Sequence, residues 1–145
     1  MLKLLFVFSL GFFFLNEPIW SLDLLSAKKQ AHEENKMILL NFSGSDWCGP
    51  CIRLHKEILS SAAFEAYAKD HLVLLNADFP RMKKNQLSKE KQAQNDALAD
   101  AYNKNGTFPL TLLLSADGKI LKQWEGFPNE TPEEFITDIS SASKQ

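Results

Sequence analysis

The chain has 145 residues, enough for one domain that buries its own core without a metal ion or several disulfides. Its 16 basic and 18 acidic residues give a net charge of −2. This charge provides no broad positive field for nucleic acid or anionic lipid, so we expect no nucleic-acid partner. Only two cysteines are present, Cys48 and Cys51, which excludes the disulfide-dense class of small secreted proteins.

Residues 1–21 have the pattern of a secretory signal peptide. Lys3 precedes an apolar run, residues 4–15, that is shorter than the roughly 20 apolar residues of a membrane span. We predict cleavage after Ser21, although Ile19 is bulky for the −3 position, and an uncleaved N-terminal anchor is the alternative. In both cases the domain, residues 22–145, is expected in the periplasm or another extracytoplasmic compartment, where disulfides form and persist.

The apolar periodicity of the remaining chain predicts alternating helices and strands. The expected elements begin with a helix over 22–35, a strand over 37–42 and one helix from about Pro50 to Lys69. A strand over 71–79 and a polar helix over 88–104 follow. Two strands over 111–115 and 120–124, joined at Asp117-Gly118, precede a last helix that begins at a Thr131 cap. This order predicts a single α/β domain in which helices flank a central mixed β-sheet.

The motif most typical of a specific chemistry is Trp47-Cys48-Gly49-Pro50-Cys51, which directly follows a predicted buried strand. Cys48 is expected at a helix N-terminus, where unpaired N–H groups and the helix dipole stabilise a thiolate. Cys51 follows one turn later on the same face, where it can attack a mixed disulfide formed by Cys48. We therefore predict Cys48 as the nucleophile and Cys51 as the resolving thiol.

A cysteine pair can serve three other purposes. A purely structural disulfide would close a very small loop and would stabilise the fold little. A zinc site needs four ligands, whereas His32, His55 and His71 are scattered singly along the chain. Binding of a soft metal such as copper by the pair alone, as in a copper chaperone, stays open as an alternative.

From Met37 to its C-terminus the chain resembles the thioredoxin superfamily. The resemblance is carried by the cysteine motif, by Leu75-Asn76-Ala77-Asp78 at a strand end, by Phe108-Pro109 before a strand, and by Gly126. It implies a thioredoxin-like fold in which Phe108-Pro109 forms a cis-proline loop against the disulfide. It also implies a substrate groove, whose expected residues are Trp47, Gly49, Pro50, Phe108, Pro109, Gly126 and Phe127.

Among exported members, the chain looks most like small reducing proteins of the Dsb type. Gly49-Pro50 is the dipeptide of reducing thioredoxins, which have potentials near −270 mV, against about −120 mV for a strongly oxidising relative. The resemblance implies reduction of protein disulfides with no cofactor besides the Cys48–Cys51 disulfide; a disulfide isomerase or oxidase is the alternative. The implied partners are disulfide-bearing envelope or secreted proteins and a membrane-embedded thiol electron donor. We expect a monomer.

The resemblance is incomplete in the strand before the motif. Thioredoxins carry a buried aspartate there that is thought to take the proton of the resolving cysteine, and the corresponding residue here is Asn41, which cannot act as a base. Asp46 and Glu57 are candidates for that task, with ordinary surface charge as the simpler interpretation. His55 is expected to be a surface residue rather than a base.

Residues 80–95 lengthen the chain between Asp78 and Pro109 relative to a thioredoxin, and they are polar and basic. We interpret this insert as an exposed extension of a helix. Contact with a partner is the alternative.

Overall fold

The structure is a computed structural model that describes residues 20–21 and 23–144. Most of the predicted signal peptide, residues 1–19, lies outside the described residues. The helices are α1 (Leu24–Glu34), α2 (Gly49–Leu54), α3 (Ala62–His71), α4 (Lys89–Tyr102) and α5 (Pro132–Ala142). The strands are β1 (Trp20–Ser21), β2 (Met37–Ser43), β3 (Leu72–Asp78), β4 (Leu110–Leu114) and β5 (Ile120–Glu125).

The five strands form one mixed sheet in the order β1-β3-β2-β4-β5. β3 runs parallel to β1 and β2, whereas β4 is antiparallel to β2 and β5. This arrangement, with helices packed on the sheet, confirms the predicted fold class. No helix among residues 20–21 and 23–144 is both long and apolar enough to cross a membrane.

The strand register gathers four strand ends at one edge of the sheet. Ser43 at the end of β2 pairs with Asp78 at the end of β3, and Leu110 at the start of β4 pairs with Glu125 at the end of β5. Phe42, next to Ser43 in β2, pairs with Leu110, so these two pairs of strand ends lie side by side. We call this edge the loop edge. The loops that follow β2, β3 and β5 and the loop that precedes β4 therefore converge there.

The core occupies both faces of the sheet because successive residues of a strand point to opposite faces. On one face Leu39 packs in a cluster with Phe64 and Phe135. On the other face Ile38 and Leu40 pack in a second cluster. Residues Ile38 to Phe42 of β2 are all buried, as the continuous apolar run predicted for a central strand.

The prediction of one helix from Pro50 to Lys69 was wrong. Helix α2 ends at Leu54 and continues as a π-helical turn over His55–Leu59, after which α3 begins at Ala62. Ser61 is the N-cap of α3, and its hydroxyl accepts a hydrogen bond from the Phe64 N–H at 3.2 Å. A serine at this position offers the backbone an alternative to helix continuation, so the helix restarts there.

Strand β1 was not predicted from the sequence. Trp20 and Ser21 pair with Leu74 and Leu75 of β3, and the Trp20 side chain packs against the core. Both residues belong to the segment that we predicted as the signal peptide. The described fold thus begins two residues before the predicted domain boundary, and the signal peptide itself stays a prediction.

Two buried asparagines attach α4 to the loop edge. Asn95 donates a hydrogen bond of 2.8 Å to the carbonyl oxygen of Asp78, at the end of β3. Asn103 accepts from the Thr107 N–H and donates to the Thr107 carbonyl, at 2.9 and 2.8 Å. The second pair of bonds fixes the turn that leads into Phe108.

Candidate active site

Cys48 and Cys51 are joined by a disulfide at the start of α2. Cys48 is the N-cap residue, and its Sγ accepts a hydrogen bond from the Cys51 N–H at 3.3 Å. Cys48 is 5% exposed and Cys51 is 2% exposed. Both residues are thus buried, and Cys48 is the one at the helix N-terminus, where N–H groups and the dipole stabilise a thiolate.

The turn between β2 and α2 is shaped by a close contact between Gly44 and Trp47. A Cβ on Gly44 would lie 2.3 Å from Trp47 Cε2, so only glycine leaves room for the indole. The Cys48 N–H donates to the Gly44 carbonyl at 2.9 Å, which closes the turn. The Asp78 carboxylate accepts from the Ser45 N–H and hydroxyl, and these bonds fix the turn to the end of β3.

An aromatic cluster forms around Trp47, the residue that precedes Cys48. The Trp47 indole N–H donates to the Phe79 carbonyl at 2.7 Å. The Phe108 ring lies edge-on to both neighbours, with centroids 5.5 Å from Trp47 and 5.6 Å from Phe79. Edge-to-face packing of this kind is favourable and fixes the rings. Trp47 and Phe108, both predicted as groove residues, are thus in contact next to Cys48.

Of the other predicted groove residues, Gly49 and Pro50 begin α2, whereas Pro109, Gly126 and Phe127 lie on two loops that meet at the loop edge. The Phe108–Pro109 peptide bond is cis, as the resemblance implies. The Gly126 N–H donates to the Pro109 carbonyl at 2.9 Å, and Gly126 has a φ of 76°, a conformation that favours glycine. The Phe127 ring lies under the Arg53 guanidinium of α2, at 4.1 Å. Their role in binding a client stays a prediction.

A cleft of about 230 Å³ opens beside Cys51. Its lining includes Asn41, Cys51, His55 and Lys56. His55 is exposed, as the sequence predicted, yet it borders the same cleft as Cys51. Asn41 also lines this cleft and is only 4% exposed.

The two carboxylates considered as bases for Cys51 both have other partners. Asp46 accepts hydrogen bonds from the Arg81 N–H, the Asn85 side chain and the Met82 N–H, and these bonds lower its pKa. Glu57 accepts two bonds of 3.0 Å from Arg53, which lower the Glu57 pKa. Neither residue is among those that line the cleft. Both carboxylates therefore accept hydrogen bonds outside this cleft.

The three histidines have separate surroundings. His32 contacts Asp117 at 3.0 Å, and the His71 ring packs on Tyr67 with centroids 4.5 Å apart. In the part of the chain that the structure describes, no group of three or more His, Cys, Asp or Glu side chains could hold a metal ion.

Comparison with known proteins gives matches over most of the chain. A family model described as a thioredoxin-like domain matches residues 24–140. The disulfide bond reductase DsbH of Chlamydia pneumoniae is 34% identical over 118 residues, which cover 81% of this chain and 69% of DsbH. The thioredoxin-related protein DsbJ of the same organism is 31% identical over 113 residues, 78% of this chain and 32% of DsbJ.

A solved structure named DsbH oxidoreductase is similar throughout the described fold. It superposes with a TM-score of 0.79 at 32% sequence identity, covering 88% of this chain and 85% of that one. The family match and the identity to DsbH agree with the cysteine pair at the N-terminus of α2. The chain therefore belongs to the thioredoxin-like family, as a DsbH-like thiol-disulfide oxidoreductase.

Proposed function

We propose that this chain is an exported reductase of protein disulfides. The observation that carries the proposal is the unequal placement of the two sulfurs. Cys48 caps the helix and accepts the Cys51 N–H, while Cys51 lies deeper, within the first turn. One sulfur is thus placed to attack a client, and the other is held beside it for the second step.

The reaction begins with the reduced pair. The Cys48 thiolate attacks one sulfur of a client disulfide, forming a mixed disulfide and releasing the other client sulfur as a thiolate that takes up a proton. Cys51 then loses its proton and attacks Cys48 Sγ, which breaks the mixed disulfide and releases the second client thiol. The client gains two electrons and two protons, and the pair becomes the Cys48–Cys51 disulfide.

The groove for an extended client segment is formed by the loops at the loop edge. Trp47 and Phe108 supply an apolar wall, and the cis Phe108–Pro109 bond lies between that wall and Gly126. Phe127 supplies a second aromatic surface beside Arg53. Gly49 and Pro50 are exposed, so a client can approach Cys48 over them. Aromatic surfaces of this kind favour binding of polypeptide.

The direction of the reaction is supported by the Gly49-Pro50 dipeptide and by similarity to a relative named as a disulfide bond reductase. Each turnover oxidises the pair, so a reductase requires a thiol donor, which we propose is embedded in the membrane. The clients are envelope or secreted proteins met after export through the segment 1–21. The protein works as a monomer and needs no cofactor beyond its own disulfide.

Trapping of the mixed disulfide tests the proposal. Cys51→Ser removes the resolving thiol, so Cys48 should stay linked to clients and yield bands that disappear on treatment with dithiothreitol. Cys48→Ser is the matched control and should trap none. A Cys51→Ser protein that traps no client, but loses bound copper relative to the native chain, would contradict the reductase and support a soft-metal carrier.

A further inference from the structure

Residues 80–88, which we call the basic loop, form the first half of the insert and lie against the aromatic cluster of the active site. We propose that Arg81, Lys83 and Lys84 of this loop form a positively charged wall of the client groove that selects disulfides flanked by acidic side chains. The inference rests on the proposed function, because it names the class of client that the Cys48/Cys51 pair reduces.

The basic loop is adjacent to the nucleophile. The Arg81 guanidinium carbon lies 3.6 Å from the centroid of the Trp47 ring, and Trp47 directly precedes Cys48. The Trp47 indole also donates to the carbonyl of Phe79, just before the loop. A polypeptide whose disulfide reaches Cys48 across Trp47 therefore passes within a side chain's length of Arg81.

The loop is held in place by the active-site turn itself. The Asp46 carboxylate accepts from the N–H groups of Arg81 and Met82, each at 2.9 Å, and from the Asn85 side chain at 3.0 Å. A short 3-10 turn over Lys83–Asn85 closes the loop. Because the loop is already ordered, its charges recognise a partner without the entropic cost of fixing a flexible segment.

The cations of the loop are available to a partner. Arg81, Lys83 and Lys84 are all exposed, and no described carboxylate forms an ion pair with any of them. The acidic side chains of the turn and the adjoining strand end, Asp46 and Asp78, accept their hydrogen bonds from the loop backbone, from Asn85 and from Ser45 rather than from these cations. The chain as a whole carries a charge of −2, so this basic surface is a local feature.

An acidic polypeptide segment is the occupant that fits this surface. Arginine and lysine pair with carboxylates, and complementary charge at an interface speeds encounter and rejects partners of like charge. An anionic lipid surface shares the charge but does not carry the disulfide that the neighbouring Cys48 attacks. The apolar Trp47–Phe108 wall beside the cations suits a polypeptide with mixed side chains.

The test uses three peptides with the same cystine loop, flanked by acidic, neutral or basic residues. The full chain with its pair reduced should reduce the acidic peptide about fivefold faster, as kcat/KM, than the neutral one, and the basic peptide most slowly. The ratio of kcat/KM for the acidic peptide to kcat/KM for the neutral peptide should approach one when the ionic strength is raised from about 10 mM to about 1 M, because salt screens the charges. The double variant K83E/K84E should bring the acidic-to-neutral ratio to one or below.

The matched control is K69E/K119E, which makes the same change in net charge at two exposed lysines away from the loop edge, in the last turn of α3 and in the turn between β4 and β5, and should leave the acidic-to-neutral ratio as in the native chain. Equal rates for all three peptides would overturn the inference while leaving the reductase intact. An absence of reduction of every peptide would overturn the proposed function as well. Binding to anionic phosphatidylserine vesicles that K83E/K84E abolishes, with no discrimination among peptides, would replace the polypeptide by a lipid surface.

Discussion

The Thr111 hydroxyl donates a hydrogen bond of 3.1 Å to the side-chain oxygen of Asn41, which lines the same cleft as Cys51. The Asn41 amide nitrogen in turn donates to the side chain of Asn76 at 3.1 Å. Both ends of the amide are therefore engaged, and Asn41 is neutral at every pH. A proton that leaves Cys51 must go to another group or to water in the cleft.

Replacing Asn41 by aspartate should change both stability and the pH dependence of turnover. Burial raises the pKa of a carboxyl above its unfolded value near 3.9. At pH values between the unfolded and the folded pKa, the folded variant therefore binds more protons than the unfolded one. The free energy of unfolding should therefore fall as pH rises between these two pKa values, by about 1.4 kcal/mol for each unit by which burial raises the pKa. The second expected effect is a new ionisation in the pH profile of mixed-disulfide resolution.

Urea unfolding across pH and single-turnover kinetics measure these two effects. Asn105→Asp, at an exposed position beyond α4, is the matched control and should change neither. A pH profile of resolution in Asn41→Asp that matches the native profile would remove position 41 from the proton route.

Gly44→Ala should displace the Trp47 indole, because the added methyl group would lie 2.3 Å from Trp47 Cε2. Overpacking of this kind costs about 1–3 kcal/mol in the free energy of unfolding. The movement should also weaken the Trp47–Phe79 hydrogen bond, with a change in tryptophan fluorescence. Gly49→Ala is the control, since nothing lies within 4 Å of its added methyl group and its unfolding free energy should change by less than about 0.5 kcal/mol. Equal stability of the two variants would contradict this account of the turn.

Asp46 should hold the basic loop in place only while it is ionised. Hydrogen bonds from Arg81, Asn85 and Met82 lower the Asp46 pKa below its ordinary value of 3.8. The stabilisation of the loop by Asp46 is therefore complete above pH 3.8 and is lost as pH falls through the lowered pKa of Asp46. Hydrogen exchange at the Arg81 and Met82 amides should accelerate relative to the rest of the chain in that acidic range.

The same contact can be tested at neutral pH with trypsin. Asp46→Asn should expose the loop to cleavage after Arg81, Lys83 and Lys84 severalfold faster than in the native chain, because unprotected loops are cleaved first. Asp117→Asn removes an exposed carboxylate beside His32 and should leave the cleavage rate unchanged. Identical cleavage of the native chain and Asp46→Asn would show that the carboxylate does not hold the loop.

Features set by local chemistry could be predicted from the sequence. The apolar run at β2, the Thr131 capping box and the position of Cys48 at a helix start each depend on residues within one or two turns. The restart of the helix at Ser61 was missed because the apolar spacing on both sides is compatible with one helix. Strand β1 was missed because Trp20 follows an apolar segment with the composition of a signal peptide.

The parts of the site that join distant segments could not be predicted in this way. Asp46 and Arg81 are 35 positions apart in sequence, and no periodic pattern connects them. The cleft that joins Asn41 to His55 likewise depends on how β2 packs against α2 and the π-helical turn that follows it. Such contacts arise from the tertiary packing that local signals do not encode.

The reduction potential of the Cys48/Cys51 pair tests the central claim most directly. The pair is equilibrated with glutathione buffers of defined ratio, and the oxidised fraction is read by alkylation of the free thiols. A reductase with Gly49-Pro50 between its cysteines should have a potential near −270 mV, so that the thiol form donates electrons to client disulfides. A potential above about −150 mV would contradict the reductase and indicate an oxidase.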